Sequence, residues 1–264
     1  MPELPDVEVR RRYFEETSLG RKVERVSVLD ARILDGTTPA SLGRALKRAC
    51  FVSAGRRGKF LLAVTDREST LLLHFGMGGE LFYRERREPR PRWSRVELYF
   101  DGGGRLHYTN LRLFGKVALF DTIDEKDIPD VSKLGPEPLD PKFTFARFLE
   151  AVAGRRTTIH QVLMDQELIA GIGNIFSDEI TFQAGVRPDR AVEDLSDDEL
   201  RRLYEKMKWT LRRAVRLNAE LDGRPEEFII PHRGKNGVCP RGDATLVSRK
   251  IGGRTSYYCP ACQK

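Results

Sequence analysis

The sequence predicts an α+β fold of two domains, an antiparallel β-sandwich followed by a helical region that ends in a β-hairpin. The first half alternates short apolar runs with glycine turns, which is typical of sandwich strands. The second half places its apolar residues at helical spacing. The tail, from about residue 238, carries three of the four cysteines around Gly252 and Gly253, which indicates a hairpin held at its base.

Composition narrows the class of protein. The 264 residues carry a net charge of +7, with 40% hydrophobic and 32% charged residues, a balance that excludes global disorder. Four cysteines are too few for a disulfide scaffold, and no apolar run is long enough to span a bilayer. The start lacks the apolar core of a secretory signal. We therefore expect a soluble cytoplasmic protein, and the basic excess is compatible with a nucleic acid partner.

The first half is expected to open with a helix over residues 7–16, capped by Asp6 and ending near Gly20. Short strands follow this helix. They are predicted from apolar runs at residues 23–28, 50–52, 60–64, 71–73, 96–100 and 106–108.

A segment rich in proline and glycine, residues 134–141, predicts the domain boundary near residue 136. We accordingly divide the chain into residues 1–135, 136–237 and 238–264. Helices are predicted over residues 145–153, 159–169 and 175–184. Ser196 and Glu199 have the spacing of a capping box that opens a long helix ending before Gly223.

Pro2 follows the initiator methionine and becomes a free secondary amine if Met1 is removed. An α-amino group has a pKa near 8, so part of it is unprotonated at neutral pH and can attack an electrophilic sugar carbon. Glu3 lies beside it in sequence and is suited to proton transfer. Many proteins start with Met-Pro, so an ordinary N-terminus is the alternative.

Residues 1–8 read MPELPDVE, which resembles the start of the Fpg/Nei family of formamidopyrimidine-DNA glycosylases and endonuclease VIII-like enzymes. Asp6 stands where the family usually has glutamate. The resemblance implies a bifunctional DNA glycosylase and abasic-site lyase of base excision repair. In that reaction the Pro2 amine forms a Schiff base at C1′, Glu3 and Asp6 move protons, and β- and δ-elimination cut the strand.

Two further motifs face DNA in this family. Residues 53–59 read SAGRRGK, a glycine-containing basic loop that lets backbone approach phosphate. The resemblance implies that Lys59 contacts the DNA backbone near the lesion, with a solvated basic turn as the alternative. Met77 lies between glycines, where an exposed apolar side chain can fill the gap left by an extruded base.

Residues 110–115 read NLRLFG where the family has DPRRFG. Arg112 and Phe114 match the family's reader of the unpaired base and its aromatic wedge, although the supporting residues differ. A plain strand over residues 111–120 is the alternative interpretation of Phe114.

Residues 163–179 resemble the family's helix-two-turns-helix element. Gly171 and Gly173 allow tight turns, and the next helix would offer free amides to a phosphate. Asn174 could cap that helix or donate to the same phosphate. Glu179 matches a family carboxylate near the active site, with a salt-bridge role as the alternative. His160 stands where the 8-oxoguanine-cutting branch often has a DNA-facing lysine.

The cysteine spacing is that of a zinc ribbon that lacks one ligand. The available thiolates are Cys239, Cys259 and Cys262. Gly242 occupies the fourth position, so Asp243 or His232 would complete a structural Zn²⁺ site, or the hairpin folds without metal. The resemblance implies that Arg254 in this hairpin contacts phosphates beside the lesion.

The implied partner is damaged double-stranded DNA, bound by a monomer. His160 and the short segment 222–233 predict a preference for oxidised pyrimidines, ring-opened purines or hydantoins over 8-oxoguanine, because a short lid closes less well over that base. Two alternatives stay open. One is a non-catalytic protein that binds damaged or abasic DNA, and the other is an unrelated basic ribbon protein that acts on RNA or as a structural partner.

Overall fold

The computed structural model describes residues 1–223 and 226–264, which form two compact units. The first unit contains Met1–Pro2 and Asp6–Ser132, and the second contains Glu3–Pro5 and Lys133–Lys264. The C-terminal hairpin belongs to the second unit. No described helix has the length and apolar character needed to cross a membrane.

The first helix, α1 (Leu4–Ser18), begins earlier than predicted. Pro5 fits there because the first helical turn has no intrahelical use for the amide that proline lacks. Asp6 lies inside this turn, so the prediction that it caps the helix is wrong.

The first unit contains eight described strands in two sheets. They are β1 (Val23–Val28), β2 (Phe51–Arg57), β3 (Phe60–Thr65), β4 (Thr70–His74), β5 (Glu80–Arg84), β6 (Ser94–Phe100), β7 (Arg105–Thr109) and β8 (Lys116–Phe120). The sequence analysis missed β5, a short apolar run between Glu80 and Arg84, and it considered β8 only within the alternative strand over residues 111–120. It also missed two helices, α2 (Pro39–Leu46) and the single turn α3 (Pro129–Ser132).

The two sheets are antiparallel, with strand orders β1-β6-β7-β5 and β2-β3-β4-β8. In the second sheet Leu73 of β4 lies opposite Leu61 on one side and Val117 on the other. These side chains share one buried cluster with inward residues of the other sheet, such as Leu98 and Leu106. Both sheets therefore enclose a single core, and the predicted β-sandwich is confirmed.

The second unit is helical and ends in the hairpin. Its elements are α4 (Phe145–Val152), α5 (Ile159–Met164), α6 (Asn174–Ala184), α7 (Asp197–Arg216), β9 (Val247–Ile251) and β10 (Arg254–Tyr258). The Ser196–Glu199 capping box of α7 is confirmed. The predicted hairpin around Gly252 and Gly253 is also confirmed, since β9 and β10 pair antiparallel across these glycines.

Helix α5 is shorter than predicted because the side chain of Gln166 replaces the next turn. Its amide nitrogen donates to the carbonyl oxygens of Met164 and Ile172, each at 2.7 Å. Its amide oxygen accepts from the Gly171 N–H at 3.0 Å. These three bonds hold the two tight turns that lead into α6.

Candidate functional site

Lys59 lies in a tight hairpin turn, not in the loop that the sequence predicted. Residues 51–57 are strand β2, and only Gly58 and Lys59 separate it from β3, with Gly58 at φ 55°. Arg56 donates to the Gly58 carbonyl at 3.0 Å and forms an ion pair with Glu8 of α1. Lys59 is 7% exposed, so the alternative of a freely solvated turn is also wrong.

His74, at the end of β4, lies opposite Phe60 and next to the turn that carries Lys59. Burial and the positive charges of Lys59 and Lys116 lower the pKa of His74 to about 4. The imidazole of His74 is therefore neutral at physiological pH, and Lys59 supplies the positive charge at this turn.

Met77 and the 110–115 segment are joined by close backbone packing. A Cβ at Gly76 would lie 2.2 Å from the carbonyl group of Phe114, so glycine is required there. The side-chain amide of Asn110 donates to the Phe75 carbonyl at 2.9 Å and holds the two turns at this short separation. Asn110, which replaces the family aspartate, is thus a buried cross-link between the two turns.

The three predicted wedge residues lie together on this support. Met77 is 39% and Phe114 62% exposed, and an Arg112 guanidinium nitrogen lies 3.8 Å from the Met77 sulfur. Strand β8 begins only at Lys116, and Leu113 has φ 56°. The alternative of a plain strand through Phe114 is therefore wrong.

Helix α1 is tied to the Met77 turn through Arg10. Its guanidinium donates to the Gly79 carbonyl at 3.1 Å and forms an ion pair with Glu80. It also donates to the backbone carbonyl of Asp6 at 2.8 Å. Pro2 is buried and Asp6 is half-buried.

Glu3 caps helix α6 from the other end of the chain. Its carboxylate accepts from the backbone amides of Gly173 at 2.7 Å, Ile175 at 2.8 Å and Phe176 at 3.1 Å. Glu3 is 2% exposed, and the helix dipole favours an anion at this end. The prediction that these amides are free for a phosphate is therefore wrong, because Glu3 occupies three of them.

Asn174 is the first residue of α6 and does not cap it. The cap position is Gly173, which makes no side-chain capping bond. The Asn174 side-chain amide donates to the Thr255 carbonyl in β10 at 2.9 Å. Asn174 therefore connects the turns before α6 to the hairpin, beside the exposed Arg254.

Asp178 holds the hairpin against α6, a role that the sequence analysis missed. Its fully buried carboxylate accepts from the Ser256 hydroxyl at 2.5 Å and the Tyr257 amide at 2.9 Å, and it pairs with Arg233 at 2.8 Å. Burial raises the pKa of Asp178 to about 6 despite these partners. The sequence analysis named the neighbouring Glu179 instead, because Glu179 matches a family carboxylate.

Two residues expected at the DNA surface are buried. His160 is fully buried, and burial lowers its pKa to about 4, so it carries no charge at neutral pH. Glu179 is also fully buried and accepts from Gln183 at 2.8 Å and the Ile230 amide at 3.0 Å. Among the described residues it forms no ion pair, so the salt-bridge alternative is wrong as well. Burial raises the pKa of Glu179 to about 7.

The three tail cysteines form a cluster that could hold a metal ion. Their sulfur atoms lie within 4.8 Å of one another in Cys239, Cys259 and Cys262. Three thiolates suit Zn²⁺, which in structural sites takes four ligands. In the described part of the chain, neither Asp243 nor His232 belongs to this cluster, which corrects the expectation for the fourth ligand. The space around a Cβ at Gly242 is open.

Comparison with known proteins agrees with this architecture. Residues 1–117 match the formamidopyrimidine-DNA glycosylase N-terminal domain, and residues 134–222 match the H2TH domain of the same enzymes. The formamidopyrimidine-DNA glycosylase of Heliobacterium modesticaldum is 34% identical over 100% of both chains, and that of Pelotomaculum thermopropionicum is 32% identical over 100% of this chain and 99% of the relative.

Solved structures give the same result. The Lactococcus lactis formamidopyrimidine-DNA glycosylase bound to DNA with an abasic site has a TM-score of 0.89 at 28% identity, covering 99% of each chain. The same enzyme with DNA containing a formamidopyrimidine lesion, Fapy-dG, has a TM-score of 0.89 at 27% identity, covering 99% of this chain and 100% of the other. The fold and site thus define a DNA glycosylase of base excision repair. Within that class, the chain belongs to the formamidopyrimidine-DNA glycosylase family.

Proposed function

We propose that this DNA glycosylase is bifunctional, excising oxidised bases from duplex DNA through the Pro2 amine and then cleaving the abasic strand. The observation that carries the proposal is the retention of Pro2 and Glu3 in a chain that matches such glycosylases over its full length. The exposed wedge of Met77, Arg112 and Phe114 supports a duplex from which one nucleotide has been extruded.

In the proposed reaction the Pro2 nitrogen attacks C1′ of the damaged nucleotide and the base leaves with a proton. The resulting iminium acidifies the hydrogens at C2′, and successive β- and δ-elimination break the strand on both sides of the sugar. Asp6 and Glu3 move the protons. The Glu3 carboxylate also accepts from the backbone amides of Gly173, Ile175 and Phe176 at the start of α6, which fixes its position for this role.

Lys59, Asn174 and Arg254 bind phosphates around the extruded nucleotide in this proposal. Arg254 is exposed at the end of the hairpin, and Lys59 is a compact cation suited to a phosphate oxygen. A Zn²⁺ ion held by the three tail thiolates would supply structural support and no chemistry. The hairpin also has the metal-independent support of Asp178. The proposed enzyme acts as a monomer in the cytoplasm, on the nucleoid if the source is prokaryotic.

The proposed lesion preference is for oxidised pyrimidines, ring-opened purines or hydantoins over 8-oxoguanine. A neutral, buried His160 supplies no cation where the 8-oxoguanine-cutting branch often has lysine. The segment 222–233 is short, and its residues 224 and 225 lie outside the described part of the chain. Excision rates for 8-oxoguanine and dihydrouracil in matched duplexes test this preference, and faster release of 8-oxoguanine would refute it.

Borohydride trapping on an abasic duplex tests the proposed chemistry. The mature chain is expected to form a covalent adduct, and Pro2→Gly or a form that retains Met1 is expected to lose most of it. A chain that binds the same duplex tightly without any adduct would instead be the non-catalytic binding protein considered above.

A further inference from the structure

Trp93 is a large aromatic side chain that no part of the proposed reaction uses. It is 47% exposed and precedes β6 with φ 63°, in the left-handed region that bulky residues rarely adopt. A strained, exposed tryptophan at a loop end is a poor choice for stability alone, and such strain clusters at functional positions.

The backbone around Trp93 is bound directly to the segment that carries the wedge. The Trp93 carbonyl accepts from the backbone N–H of Asn110 at 3.0 Å. Arg95 donates to the Asn110 carbonyl at 2.8 Å and the Leu111 carbonyl at 3.4 Å, and it pairs with Asp30 at 3.0 Å. Trp93 therefore has a fixed position beside the 110–115 segment.

The indole is bordered by positive charge. The guanidinium carbons of Arg92 and Arg95 lie 5.5 Å and 5.8 Å from its ring centroid. Arg92 is exposed, and residues 84–95 contain six arginines against two glutamates. An aromatic face beside an exposed guanidinium is the combination that binds an unstacked nucleotide, with the ring on the base or sugar and the cation on the phosphate.

We propose that Trp93 and Arg92 form an additional DNA-contact site, which packs against a nucleotide next to the gap that the wedge fills. This inference rests on the proposed function, because only a locally unstacked duplex offers such a nucleotide face. Leu111, which is 51% exposed, lies in the 110–115 segment to which the Trp93 backbone is bound.

The chain offers a matched control, because it contains only two tryptophans. Trp209 lies in α7 of the second unit, is 40% exposed and stacks on Phe228 at 6.1 Å. Trp209→Phe leaves Trp93 as the single reporter, and Trp93→Phe leaves Trp209. Each protein is titrated with a duplex that carries a tetrahydrofuran abasic analogue, and tryptophan emission and DNA anisotropy are recorded together.

We expect strong quenching of Trp93 emission that saturates with the anisotropy, and little change at Trp209. Unchanged Trp93 emission during saturable binding, or equal quenching of both tryptophans, would overturn the proposal. If neither protein binds the abasic duplex in preference to intact duplex, the proposed function fails first, so the two failures are distinguishable.

A second measurement uses affinity. Because stacking on one aromatic side chain is worth about 1–3 kcal/mol, Trp93→Ala should weaken binding at least about 5-fold, whereas Trp93→Phe should stay near wild type. Arg92→Gln should reduce the slope of log affinity against log salt by about 1. Unchanged affinity in Trp93→Ala with an unchanged melting temperature would contradict the proposal.

Discussion

At the scale of single residues, the most informative finding is that Glu3 serves the fold as well as the proposed chemistry. Its carboxylate, 2% exposed, accepts three amides at the start of α6. A substitution of a residue that caps a helix and also neighbours the proposed nucleophile can reduce activity for either reason. Separating these effects requires a stability measurement beside the activity measurement.

Glu3→Gln should lower the free energy of unfolding by about 1–3 kcal/mol, because the amide group presents a donor where the α6 amides need an acceptor. Thermal and denaturant unfolding measure this change. Glu16→Gln is the control, since Glu16 is an exposed residue of α1 and its substitution should change stability by less than about 0.5 kcal/mol. Equal effects of the two substitutions would contradict the capping role.

Asp178→Asn should destabilise the attachment of the hairpin by about 3 kcal/mol, because it leaves Arg233 without its buried partner. Hydrogen exchange should accelerate at the Tyr257 amide, which donates to Asp178. Glu150→Gln is the control: Glu150 pairs with Arg147 on the surface of α4, where both side chains are exposed, and surface pairs contribute less than about 1 kcal/mol. Exchange that is slower in Asp178→Asn than in the control would refute this role.

At the scale of elements, sequence reasoning succeeded where the local pattern decides the structure. The capping box of α7 and the hairpin around Gly252 were predicted because their signals are local. The end of α5 was not predicted, because it depends on the side chain of Gln166, whose bonds to nearby backbone groups leave no periodic signal. The cap of α6 was not predicted, because it depends on Glu3, which is distant in sequence. Motif matching likewise located the wedge residues, but it could not show that Asn110 joins their two turns.

Sequence reasoning was also limited in predicting which polar side chains are exposed. His160 and Glu179 are polar residues in a DNA-binding motif, which predicts an exposed position. Both are fully buried: His160 lies in α5, and Glu179 lies in α6, whose residues 176–184 are all buried. Tertiary packing decides this burial. The sequence of α6 does not show it, because buried polar and buried apolar residues are interspersed along the helix.

The cysteine cluster gives a prediction for the hairpin element. A side chain at Gly242 meets open space, so Gly242→Cys should complete four thiolates and retain one Zn²⁺ per chain through a chelator challenge that strips the wild type. Metal content by mass spectrometry, with the melting temperature before and after chelation, measures this. Gly223→Cys, also in open space but outside the cluster, is the control, and equal Zn²⁺ retention by both variants would contradict the prediction.

At the scale of the whole molecule, buried titratable groups give stability an unusual pH dependence. Burial raises the pKa of Glu179 to about 7 from 4.5. The folded state therefore holds this proton more tightly than the unfolded state, and the stability that the protonated form contributes is lost as the pH rises from about 4.5 through 7. The histidines act in the opposite sense: burial lowers the pKa of His74 and His160 to about 4, so they cost stability as the pH falls below about 6.5.

Glu179→Gln should remove the loss of stability that Glu179 causes as the pH rises, and it should leave the effect of the buried histidines at low pH. We expect the wild-type melting temperature to decline between pH 5 and pH 8 relative to that of Glu179→Gln, whose curve should be flatter over this range. Parallel curves for the two proteins would show that Glu179 does not hold a proton in the folded state near neutral pH.

In the proposed reaction the amine of residue 2 bonds to the deoxyribose of a damaged nucleotide. The most direct measurement is peptide mapping by mass spectrometry of the borohydride-reduced complex with an abasic duplex. We expect one sugar adduct, on an N-terminal peptide that begins at Pro2. An adduct on a lysine such as Lys59, or complete binding without any adduct, would contradict it.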